Sequence, residues 1–161
     1  MTFNNISRDE DATGILLDNT DVVVIFNNTV AWTEIGIYTR DCDDVEIAYN
    51  ELMNNTFYGV SFGAGTSNGL VHNNNFYGNY DNDGQAYDSQ NNSWDNGTAG
   101  NWWSDWNGTG DYNIGGPSDA VDNYPLGDPV VTGAPERVPE FGPMVVISLL
   151  AVALLAFRRL R

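Results

Sequence analysis

Four tryptophans, Trp94, Trp102, Trp103 and Trp106, fall within thirteen residues, with Tyr112 and Tyr124 close behind. Aromatic rings so placed can stack on the apolar faces of sugars, or they can seal the end of a hydrophobic core. Because the group sits in one terminal segment, sealing is the expectation, with glycan contact through Trp94, Trp102, Trp103, Trp106 and Tyr112 as the alternative. Among the acids, Asp41, Asp43 and Asp44 form the densest cluster of the first half. Paired carboxylates can act as general acid, general base or calcium ligands on polysaccharides. These three, however, lie between two short apolar runs, and the chain contains no lysine to serve as a lyase base. A solvated turn is therefore expected, and no residue is assigned a catalytic role. Asp81, Asp83 and Asp88 are weak calcium candidates, since the glycine of Asp81-Asn-Asp-Gly84 comes at the fourth and not the sixth position of the loop. No other cofactor is indicated. Asn5, Asn27, Asn54, Asn91, Asn96 and Asn107 each begin an Asn-x-Ser/Thr sequon and are glycosylation candidates outside the cell. The single cysteine, Cys42, excludes an internal disulfide framework.

The elements that must position these groups are set by an internal repeat. Gly14-Ile15, Gly36-Ile37 and Gly59-Val60 recur every 22 to 23 residues. Other columns keep step: Leu17, Thr39, Phe62; Ile25, Ile47, Leu70; Asn28, Asn50, Asn73; Ala31, Met53, Phe76; Ile35, Phe57, Tyr80. Within each period apolar residues alternate over short runs, the pattern of half-buried strands, and Asn, Asp and Gly cluster between the runs as turns. A period of this length predicts an all-β solenoid, a parallel β-helix of about three coils, in which Ile15, Ile37 and Val60 stack inward. The Asn28, Asn50, Asn73 column predicts a side-chain amide ladder at one turn. Coils are expected over residues 1–95 and a Trp-rich cap over 96–127. A linker over 128–143, beginning as a short spacer, and a hydrophobic helix with an Arg-rich tail over 144–161 complete the chain.

These repeats resemble the NosD-like family of right-handed β-helix surface proteins. Within residues 96–127, Asn96-Gly-Thr-Ala-Gly-Asn-Trp-Trp-Ser-Asp-Trp106 and Asp122-Asn-Tyr-Pro-Leu126 are similar to that family's closing segment. Where the family carries a loop of alternating Asp and Gly, this chain reads Gly110-Asp-Tyr-Asn-Ile-Gly-Gly116, which leaves only Asp111 and Asp119 as hard ligands, too few for a tight calcium site. The NosD name suggests copper, which wants several His, Met or Cys donors converging. His72 reads instead as a lone surface histidine in the column of Asn27 and Tyr49. Cys42 lies in the column of Thr20 and Gly65, and Met53 in a core column.

Charge and the tail bear on location. The net charge is −16, and residues 1–135 hold 20 acids against Arg8 and Arg40, which excludes phosphate-backbone binding as a principal role. From Phe141 to Phe157 no residue is charged, and Arg158, Arg159 and Arg161 follow. Seventeen uncharged residues are at the short limit of a membrane-spanning helix, and the arginines place the extreme C-terminus in the cytoplasm and the body outside. Pro139, Glu140, Phe141 and Gly142, the apolar run and the arginines together resemble the PEF or PEFG sorting signals of archaeal surface proteins. That resemblance implies cleavage by an archaeosortase-type enzyme and transfer to a membrane lipid. Phe3-Asn-Asn-Ile6 looks like the middle of a coil, so the expectation is the C-terminal piece of a longer protein. Its first coil would present Ile15, Leu17 and Ile25 to an upstream coil or a second copy. The resulting expectation is a non-catalytic, membrane-anchored cell-surface module, structural, adhesive or glycan-contacting. The alternative is a carbohydrate-active enzyme or carbohydrate-binding β-helix.

Overall fold

The computed structural model describes residues 4–79 and 84–132. The chain coils through three faces in turn. The first coil carries β1 (Asn5–Asp9), β2 (Ile15–Asp18) and β3 (Val23–Phe26); the second β4 (Thr29–Thr33), β5 (Ile35–Arg40) and β6 (Val45–Ala48). The third carries β7 (Glu51–Met53), β8 (Tyr58–Phe62) and β9 (Leu70–His72), and the fourth β10 (Asn75–Tyr77) and β11 (Ala86–Asp88), before β12 (Trp102–Trp103). Three parallel sheets result, ordered β1-β4-β7-β10-β12, β2-β5-β8-β11 and β3-β6-β9, the last extended by a bridge from Leu70 to Ser93. About four coils form where three were expected, because residues 84–103, too irregular to align with the repeat, still complete a turn. A short antiparallel hairpin, β13 (Tyr112–Asn113) and β14 (Val121–Asp122), closes the last coil.

The inward columns are those the alternation predicts on one face. Ile15 pairs with Ile37, Ile37 with Val60 and Val60 with Ala86, all buried. Stacked coils pack such inward columns into a continuous core. The glycine that precedes each of the first three is required by the approach of coils: a Cβ on Gly36 would lie 2.5 Å from the Gly59 carbonyl oxygen. Later in the chain the register slips by one. Ile47 pairs with Val71, not Leu70, which pairs with Glu46. Leu52 pairs with Phe76 and Met53 with Tyr77, so Met53 is half-buried on the outer face instead of in the core. Ile35 pairs with Tyr58, not Phe57. The cause is a lengthening of the coil: the amide ladder steps 22 residues from Asn28 to Asn50 but 24 from Asn50 to Asn74.

The ladder therefore runs through Asn74, not Asn73. Asn50 Oδ1 accepts from the Asn28 backbone N–H (2.9 Å) and Nδ2 (3.0 Å), and Asn74 Oδ1 accepts from Asn50 in the same two ways. Asn4 donates into the top of the column at Asn28, while Asn101 and then Asp122 accept at the bottom. Immediately before Asn28, Asn50 and Asn74 the backbone is left-handed, at Asn27 (φ 53°), Tyr49 (φ 58°) and Asn73 (φ 55°). That geometry turns the corner and aims the amide along the stack.

At a different corner the left-handed position is held in successive coils by Val22, Asp44, Asn68 and Asn91, with φ between 51° and 60°. Val22 is β-branched and 77% exposed, so it carries the strain without any packing return. Val22→Asn is expected to stabilise the chain by about 1 kcal/mol, read as a higher urea midpoint. An unchanged or lower midpoint would contradict this.

At the first coil Ile15 and Ile25 are 3% and 0% exposed, and Ile6, Leu17 and Val23 are partly buried against the core. At the other end the chain leaves the cap and doubles back over the first sheet. The outward column there is Asn5, Thr29, Glu51, Asn75, Trp102. Val130 exchanges two 2.8 Å bonds with the Asn75 side chain, and Thr132 donates to Glu51. The start of the expected spacer is therefore a strap laid across two coils. Among the described residues no helix is long and apolar enough to cross a membrane. Residues 139–142, the apolar run 144–157 and the terminal arginines lie outside the described residues.

Candidate functional site

The Trp-rich segment folds so that strand alternation divides its rings. Trp103 points inward beneath Phe76, with ring centroids 4.1 Å apart, and Tyr112 of the hairpin stacks on its other face at 4.0 Å and 6°. Trp94 is fully buried against Phe62 and Phe76. These three rings form the plug that an apolar stack needs at its end. Trp102, the next residue along the strand, points outward and lies on Tyr77 at 4.5 Å. Trp106 is partly buried against the plug.

Two carboxylates serve the plug. Asp88 is fully buried and accepts from the backbone N–H of Gln90 and of Asn92, the Asn92 amide and the Trp94 indole. Both oxygens are so committed, and its calcium candidacy has no free donor behind it; Asp81 and Asp83 lie outside the described residues. Asp122 does the same for the last coil, with Trp103 Nε1 at 2.9 Å, Asn101 N at 2.7 Å and Tyr124 N at 3.0 Å. Burial raises the Asp122 carboxyl above the usual carboxylate range, outweighing those hydrogen bonds. Burial likewise raises the Tyr112 phenol, helped by the Asp105 charge beside it.

A second ladder, not anticipated from the sequence, leads from the solenoid to this end. Thr33 donates to Asn55, Asn55 to Asn79 and Asn79 to Gln85, and Gln85 donates to Asp105 at 2.6 Å. Its signal was present: Thr33, Asn55 and Asn79 each follow a residue of the first ladder by five positions. Asp105 also accepts from the Tyr112 hydroxyl at 3.1 Å, so one exposed acid ties the ladder to the hairpin. Beside it lies a cleft of about 260 Å³ bordered by Trp106, Asp111, Tyr112 and Asn113. A second cleft of similar size, lined by Asn91, Trp94, Asp95, Asp119 and Asn123, is the more polar. Asp111 and Asp119, the remnants of the resembled calcium loop, thus border separate clefts.

The remaining candidates are scattered. Asp41, Asp43 and Asp44 occupy the corner between β5 and β6, where Asp43 accepts from Ser67 and Asn68 of the next coil. Asp18, held below its ordinary pKa by the Arg40 hydrogen bond and charge, is likewise on the exterior. Of the sequon asparagines, Asn5, Asn54, Asn91, Asn96 and Asn107 are exposed and Asn27 is buried. His72 is not the surface residue expected: it aligns with Ala48, is 9% exposed and lies between Asn73 (2.8 Å) and Glu46 (3.1 Å). Cys42 is 1% exposed in the core, one position from the expected register, with its thiol donating to the Arg40 carbonyl.

A family model described as periplasmic copper-binding protein (NosD) matches residues 1–108. No curated protein and no solved structure matches the chain. The donor set does not fit copper. Among the described residues no three His, Cys, Asp or Glu side chains converge. The His72 nitrogens face oxygen partners, Cys42 is enclosed elsewhere in the core, and Met53 is on the outer face of another sheet. Metal-free chain mixed with cuprous or cupric ion and desalted is expected to retain well under one equivalent, measured by elemental analysis. A full equivalent that disappears in His72→Ala would overturn this. With the model spanning well over half of the chain and the structure showing the stacked parallel coils, the chain belongs to the NosD family, as a β-helix domain of that type.

Proposed function

We propose that the chain is a non-catalytic surface module, a short β-helix held at the envelope by its C-terminal apolar segment. The observation that carries the reading is the order of the last residues: Pro139 to Gly142, then the uncharged run to Phe157, then Arg158, Arg159 and Arg161. Such a run partitions into hydrocarbon, and the arginines hold its end on the cytoplasmic side. The described body supports a scaffold role, because the buried side chains of Asn28, Asn50, Asn74, Asn55, Asn79, Asp88 and Asp122 are committed to ladders and to the plug. Cleavage within 139–142 by an archaeosortase-type enzyme, with lipid attachment, is the processing this tail suits, and the exposed sequons suit glycosylation outside the cell.

Expression of the full chain and of a version ending at residue 132, followed by alkaline extraction of membranes, tests the reading. The full chain should stay with the membrane and the shortened one should be released. Release of both would remove the anchoring proposal.

A further inference from the structure

We propose that the cleft at the capped end binds one unit of a neutral glycan. The inference goes beyond anchoring and does not depend on it. The cleft is a shallow depression of about 260 Å³, open to solvent, and is lined by Trp106 and Tyr112 together with Asp105, Asn107, Asp111 and Asn113. Aromatic rings beside carboxylate and amide groups are the chemistry that recognises a sugar: apolar C–H faces against the ring, hydroxyls against the oxygens and amides.

Three features mark this cleft out from the rest of the cap. First, Trp94 and Trp103 each donate their indole N–H to a buried carboxylate, whereas the Trp106 N–H, shielded from solvent, has no acceptor. An unpaired buried donor costs stability unless something else satisfies it. The Trp106 ring is thus held by packing against the core and not by a hydrogen bond from its indole. Second, Asp111 and Asn113 are exposed and make no side-chain hydrogen bond among the described residues, so both are available to hydroxyls. Third, Asp105 is fixed by Gln85 and Tyr112, which preorganises the wall.

Charge selects the ligand class. With 20 acids against two arginines in residues 1–135, the body repels uronate, sulfate and phosphate groups. A neutral, hydroxyl-rich unit meets no such penalty.

The experiment is a titration of the full chain, in a detergent without a sugar headgroup and with a chelator present, by a panel of neutral mono- and oligosaccharides. Tryptophan fluorescence and calorimetry are the readouts. The expected result is saturable binding of at least one sugar, weakened about tenfold or more by the exposed-residue double variant Asp111→Ala, Asn113→Ala and by Trp106→Phe. Asp43→Ala, on a distant corner, should bind as the parent does, and thermal melts establish that each variant folds. No binding by any sugar at millimolar concentrations would overturn the proposal. So would binding that the double variant leaves unchanged.

Discussion

Asn50→Ala is expected to destabilise the solenoid by roughly 4 kcal/mol or more, a large share of the 5–15 kcal/mol that holds a domain together. The Asn50 side chain is wholly buried and serves five partners. Its oxygen accepts from Asn28 N and Nδ2, and its nitrogen donates to the carbonyls of Ile25 and Ala48 and to Asn74 Oδ1. Alanine removes the amide contacts to Asn28, Ile25 and Asn74 at a wholly buried position, while the Ala48 carbonyl keeps the Asn27 N–H, and each buried polar group orphaned in this way costs about 1–3 kcal/mol. Asn50→Asp keeps the size and the acceptor but turns a carboxylate onto three oxygens, so it should fare no better at neutral pH. Urea unfolding against the parent, with Asn5→Ala at an exposed strand position as a reference, provides the measurement. A loss for Asn50→Ala no larger than that of the reference would show that the ladder is not a principal support.

Trp103→Ala should cost about 3–5 kcal/mol, because it removes the ring clasped between Phe76 and Tyr112 and opens a cavity at the end of the core. It also strips a donor from Asp122. That carboxyl makes the cap sensitive to pH in a defined direction. Its folded pKa is raised by burial, so the folded state binds its proton more tightly than the unfolded chain does. The stabilisation from that proton is complete below the unfolded pKa, near the ordinary carboxylate value, and is lost as pH rises through the folded pKa. Mild acidification from neutrality should therefore raise the melting temperature, and it also relieves part of the net charge of −16. In Asp122→Asn the gain on the acid side should be smaller than in the parent, since the Asp122 contribution is gone. An equal gain in both proteins would assign the pH response to net charge alone.

The solenoid and its inward Ile15, Ile37, Val60 column were legible in the residues, because stacked coils place like residues on like and strands alternate faces. The candidate site was legible only as a composition, an aromatic segment with acids near it. Alternation sent Trp103 inward and Trp102 outward, and committed Asp88 and Asp122 to indoles; neither follows from the presence of the residues. The run Asn73, Asn74, Asn75 marks the limit most clearly. Three identical side chains stand in a row, and a shift of one residue in coil length exchanges their roles. In the folded chain Asn73 takes the left-handed corner, Asn74 enters the buried ladder and Asn75 turns outward to hold Val130. Sequence by itself determined that an asparagine must stand at that corner, since only a short amide can bond the coils on both sides. Which of the three it is was decided by the packing of Val71 and Phe76 into the core on either side, because burying those two side chains fixes the register of everything between them.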